Sequence, residues 1–134
     1  MDVLNESRSG DVQNIVKSSS HIYSHLMKIV MNKEVLKRWI NTVIAQNEEL
    51  LKITNKTYWA EAKTKMNSIK VKAINEYVAD GNNNEYVAFN IVYNDFSNIE
   101  LFKDKNKLKN YMIKSVKSKN ISNKDELISY IESK

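Results

Sequence analysis

The chain has 134 residues, 42% hydrophobic and 28% charged, with two Gly, no Pro, no Cys and a formal net charge of +5. Such a length and mix suit one domain able to bury a core, and they exclude a collagen-like, elastic or disulfide-built protein. Without Cys there are no thiolate nucleophiles and no cysteine-ligated metals, and apolar residues spread along the whole chain exclude a disordered tail.

Met1 to Gly10 are polar and lack the basic-then-apolar order of a secretory signal, so residues 1–10 read as a flexible lead and residues 11–134 as a single α+β domain. From Asp11 to Met31, Ile15, Ile22, Tyr23, Leu26, Ile29 and Val30 recur at helical spacing, with Ser9 or Asp11 available as N-cap. After Asn32, a candidate cap, the run Leu36, Trp39, Ile40, Val43, Ile44, Leu50 and Leu51 predicts a second helix, paired with the first as a hairpin. Residues 55–66 fit a helix through Tyr58, Ala62 and Met66, or a strand through Tyr58, Ala60, Ala62 and Thr64; helix is the reading adopted.

From Ile69 the period becomes two. Ile69, Val71, Ala73, Tyr77 and Ala79 share one side, with Lys70, Lys72 and Glu76 on the other, and Asp80, Gly81 and three asparagines form a turn. Val87, Phe89, Ile91 and Tyr93 then predict a return strand, and Ile99 to Phe102 a third. Asp104 caps a helix facing inward through Leu108, Tyr111, Met112, Ser115 and Val116. Ser122 with Asp125 matches a capping box before Leu127, Ile128 and Ile131. The expected architecture is an N-terminal helical hairpin, a three-stranded antiparallel meander, and two C-terminal helices packed on one face of the sheet.

Charge is unevenly placed. Residues 103–119 hold seven lysines against Asp104 alone, whereas the remainder has fourteen basic and fifteen acidic residues. On a helix, Lys103, Lys107, Asn110, Lys114 and Lys117 form a stripe opposite Leu108, Met112 and Val116. Lysines crowded into a first turn oppose the helix dipole and one another, so local stability does not account for them. An anionic partner does account for them, and a solvated surface helix is the plainer alternative.

Other constellations fail on residue count or spacing. His21 and His25 lie four apart with no third His and no HExxH glutamate, so a zinc site lacks ligands. Gly10 and Gly81 stand alone, which excludes a P-loop or Rossmann loop. Asp95, Glu100 and Lys103 approach a nuclease pattern, but on a strand Glu100 and Lys103 would point to opposite faces. Trp39 and Trp59 read as core, with Tyr58 and Trp59 as an alternative partner anchor. Tyr77, Tyr86 and Tyr93 could stack bases on an open sheet face.

From Thr57 to Lys119, the order helix, three strands, helix, with Lys105, Lys107 and Lys109 opening the last helix, resembles the double-stranded RNA-binding domain. The likeness is topological and covers under half of the chain. It implies lysines on phosphates across a major groove. The segment lacks a Pro-His type of groove-entering loop between the first two strands.

The expected function is that of a small non-enzymatic binding protein without cofactor or metal. It would occlude a surface on a larger protein or nucleoprotein partner through Lys103, Lys105, Lys107, Asn110, Lys114 and Lys117. The alternative is direct, sequence-nonspecific binding of double-stranded RNA or DNA through the same lysines. Abundant Asn, Lys and Ile are what AT-rich codons favour, pointing to a low-GC bacterium, its phages or an AT-rich virus, and the binding protein is expected to be encoded by a phage, a virus or another mobile element. No apolar run reaches the ~18 to 20 residues of a membrane span, so no membrane partner and a cytoplasmic location are expected.

Overall fold

Between Val12 and Ile29 the apolar residues of the first helix occupy a wide arc, and Ser18, Ser20, Ser24 and Lys28, beyond it, are buried as well. A helix of this kind has to be enclosed from several directions. The computed structural model describes the backbone of residues 3–134 and the side chains of residues 10–134, and it places this helix at the centre of the molecule. Helix α1 (Val3–Met31) is packed on by α2 (Lys37–Leu51), α3 (Lys56–Lys63), α4 (Met66–Ala79), α5 (Glu85–Asp95) and α6 (Lys105–Lys117). Helix α7 (Lys124–Glu132) lies against α6, and a 3-10 turn (Ile99–Lys103) joins α5 to α6. Because α1 begins at Val3, Ser9 and Asp11 lie inside it and neither opens it; of the expected lead, Met1 and Asp2 fall outside the described residues.

The α+β expectation is overturned: among the described residues there are seven α-helices and no strand. Three features explain the misreading. In α4 the residues that face α1 are Ile69, Ala73 and Tyr77, spaced by four, and the alternating pattern contains them all. The intervening Val71 is 56% exposed, as is Val87 in α5, where Ala88, Phe89 and Val92 are the buried set. The Asp80–Asn84 turn is real but is a helix stop. Gly81, at φ +86°, donates its N–H to Val78 and the Asn82 N–H reaches Tyr77, the paired bonds of a Schellman motif. Gly followed by Asn serves a helix C-terminus and a strand hairpin equally well, so turn chemistry alone could not arbitrate. The likeness to the double-stranded RNA-binding domain falls with the strands that carried it.

Other boundaries are corrected by geometry. Asn32 closes α1 rather than opening α2: its side-chain amide donates to the carbonyl of Lys28 at 2.9 Å, and α2 starts after Leu36 with no side-chain cap. Nor does the Ser122 and Asp125 box form, since α7 starts at Lys124 behind Asn123. Helices α3 and α6 are capped by asparagine and aspartate, as side chains of that length allow. Asn55 accepts from the N–H groups of Thr57 and Tyr58, and Asp104 from that of Lys107 at 3.0 Å.

An aromatic cluster ties the second half of the chain to α1. The Tyr23 ring packs edge-on to Phe102 at 4.8 Å and tilted on Phe89 at 5.1 Å, while Phe96 meets Phe102 and Tyr111. The Tyr23 hydroxyl donates to the buried carbonyl of Phe96, and burial, with Tyr93 nearby, pushes its pKa up. Trp59 is also core, with its indole N–H donating to the carbonyl of Ile53 at 2.7 Å, so it is no exposed anchor.

Candidate functional site

Helix α6 is amphipathic because Leu108, Met112 and Val116 are buried at four-residue steps, which fixes the direction of every other side chain on it. Lys107, Asn110, Lys114 and Lys117 share the opposite side. From Lys107 to Lys117 this face runs about 15 Å at 1.5 Å per residue. Asn110, Lys114 and Lys117 are exposed and Lys107 is half-buried, with its ammonium 5.4 Å from the centre of the Phe96 ring. None of the three lysines forms an ion pair among the described residues.

The remaining lysines of the basic segment are placed elsewhere. Lys103 belongs to the 3-10 turn, with its ammonium 4.7 Å from the centre of the Trp59 ring and 4.0 Å from Glu100. Lys105 lies on the same side of α6 as Met112 and Val116 and so is not part of the stripe. Lys109 donates to the carbonyl of Glu132 at 3.0 Å, and Lys119 to those of Val30 and Asn32. Of the six residues expected to form the site, the structure therefore brings together Lys107, Asn110, Lys114 and Lys117 and sets Lys103 and Lys105 apart.

Sequence reasoning missed what lies beside this face. The end of α5 and the cap of α6 bring Asp95, Phe96 and Asp104 next to Lys107, Tyr111 and Lys114 around a depression of about 400 Å³. Burial pushes the Tyr111 hydroxyl up to about 12, and the Asp95 carboxylate adds to this. The surface thus carries both signs of charge and an aromatic floor. Its only sequence signal was Asp95 closing one element and Asp104 capping the next.

The rejected constellations can now be located. Glu100 lies 2.5 Å from Lys63, whose hydrogen bond holds the carboxyl below its usual range. His21 and His25 both face Glu76 on α4, at 2.8 and 3.6 Å, and no group of three or more metal-ligating side chains occurs among the described residues. Tyr77 is buried and donates to the carbonyl of Asn83, while Tyr86 and Tyr93 are exposed on a helix and not on a sheet. No helix among the described residues is long and apolar enough to cross a membrane. Comparison with protein-family models, with curated proteins and with solved structures gave no match to this chain.

Proposed function

We propose that the chain is a small non-enzymatic binding protein that covers a surface on a larger protein or nucleoprotein partner with the outer face of α6. The observation that carries this reading is the row of Lys107, Lys114 and Lys117 around Asn110, exposed but for the half-buried Lys107 and outside any ion pair among the described residues, while Lys103, Lys109 and Lys119 of the same segment are engaged within the molecule. Three uncompensated ammonium groups raise the rate of encounter with an anionic surface and fix its register. Asp95 and Asp104 beside them favour a protein surface of mixed charge over a continuous phosphate backbone, which would meet both carboxylates. The face also contains no Arg, the residue that phosphate recognition usually recruits. AT-rich composition fits a phage, viral or mobile-element source, and a site of action in the cytoplasm of the producing or host cell.

The test is capture of the partner from the producing cell, reconstitution of the complex from purified components, and comparison with the variant K107E/K114E/K117E. The expected result is affinity weakened at least about tenfold with an unchanged circular dichroism spectrum. Retained affinity overturns the assignment to α6. A gel shift with unrelated duplex sequences, whose salt slope falls by about one per Lys→Ala change, replaces it with direct nucleic-acid binding.

A further inference from the structure

Away from α6, a depression of about 610 Å³ opens between α1, α2 and the α4–α5 turn, walled by Lys28, Asn32, Arg38, Trp39, Asp80 and Asn82. Its lining holds two cationic side chains, Lys28 and Arg38, against the single carboxylate of Asp80. Lys28 is only 4% exposed, yet its ammonium, with three N–H donors, has the Asp80 carboxylate as its one acceptor among the described residues. Arg38, one of two arginines in the chain, carries five donors and forms no ion pair or side-chain hydrogen bond among those residues. The half-buried Trp39 indole N–H is likewise without an acceptor among the described residues, in contrast to that of Trp59, which is bonded to Ile53.

The wall behind these donors is fixed in place. Asn32 donates to the side-chain oxygen of Asn82 at 3.0 Å, Asn82 donates to the carbonyl of Tyr77 at 3.1 Å, and Gly81 adopts the left-handed conformation that this turn demands. Asp80 is neutralised by Lys28, and burial lowers the pKa of His25 at the same wall, so the charge left uncompensated is that of Arg38. Two cationic side chains against one carboxylate, with N–H groups left over after the Lys28–Asp80 pair, suit the recess to a negatively charged oxygen. The volume is far larger than a bare ion requires, and the Trp39 ring offers a flat apolar wall.

We propose that this recess binds a small organic oxyanion, a phosphate or carboxylate carried on a flat ring. The Arg38 guanidinium forks onto the anion, Lys28, already paired with Asp80, supplies a further N–H donor, and the ring lies against Trp39. Separated from the α6 face, this site is independent of the interaction proposed above.

The experiment is NMR of the native chain, following the two indole N–H resonances, assigned with Trp39→Phe, during titration with phenyl phosphate, benzoate and benzyl alcohol. We expect the Trp39 signal to move saturably with at least one of the two anions while that of Trp59 stays fixed. The anion that saturates at the lower concentration identifies the head group. Arg38→Gln, at an exposed position that leaves the core intact, weakens binding by about tenfold, and K107E/K114E/K117E leaves it unchanged. Absence of a saturable shift at millimolar anion, equal binding by benzyl alcohol, indifference to Arg38→Gln, or loss in the α6 variant would each overturn the site.

Discussion

Lys119 donates its ammonium to the carbonyl oxygen of Asn32 at 2.6 Å and to that of Val30 at 3.2 Å. A lysine just past the end of α6 thereby closes the C-terminal end of α1, where carbonyls lack partners within the helix and carry the negative end of its dipole. Replacing it by Met should lower unfolding free energy by about 1 to 2 kcal/mol in urea denaturation and leave binding through α6 unaltered. A variant as stable as the parent would show that these carbonyls are equally well served by water.

Asp104 has two tasks at the start of α6. It accepts from the N–H of Lys107, and its charge stands among Lys103, Lys105 and Lys107, which would otherwise crowd the positive end of the helix dipole. Asp104→Ala should therefore cost about 1 kcal/mol, and Asp104→Asn, which keeps the cap but not the charge, visibly less. Urea midpoints for the two variants distinguish the cap from the charge.

The pair His25 and Glu76 makes stability depend on acidity. Burial lowers the pKa of His25 from its ordinary 6.5; His21 and its carbonyl, Lys28 and Glu76 are the groups facing it. Its folded form therefore binds fewer protons than the unfolded chain, and stability is full above 6.5 and declines as pH falls through that value. For Glu76, burial is the largest influence and opposes ionisation, but the hydrogen bond from His21 at 2.8 Å, the charges of His21 and His25 and a hydrogen bond from Ser24 together outweigh it and hold the carboxyl below its ordinary 4.5. Its contribution is present above 4.5 and is lost as pH drops below it. Melting temperature should accordingly decline from pH 7 through 6 to 4, and His25→Asn, which retains a donor toward the His21 carbonyl, should flatten the upper part of that decline. An unchanged slope would move the dependence to other groups.

Val87 and Phe89 would share one face of a strand, whereas on α5 Val87 is 56% exposed and Phe89 is 2% exposed. Val87→Lys should change stability by no more than about 0.5 kcal/mol, and Phe89→Ala should cost about 3 to 5 kcal/mol. Equal sensitivity at both positions in thermal denaturation would restore the strand.

Where helix period and burial coincided, the sequence was legible. The register of α6, the helical choice for α3 and the Asp104 cap all follow from apolar residues at three- and four-residue steps behind a short polar side chain. The stretch from Ile69 to Phe102 was not legible for a definite reason. Val71, Val87 and Ile91 are large apolar residues left exposed on α4 and α5, and they fill the gaps in a four-residue pattern until it looks like alternation. At the basic segment the composition was plain, but its partition was not. Contacts from distant elements, those of Val30, Asn32, Trp59 and Glu132, separate Lys103, Lys109 and Lys119, which are engaged within the molecule, from the three on the outer face. The recess around Arg38 drew on α1, α2 and a turn fifty residues away, and no local pattern announces such a meeting.

The position of α1 has a consequence for synthesis. The ribosome releases this helix before the neighbours from α2 to α6 that must later cover it. While the rest of the chain is being made, its Ile, Leu, Tyr and Met side chains have nothing of their own to rest on. Completion of the C-terminal third, which brings Phe96, Phe102 and Lys119 to it, is the step that ends this exposure.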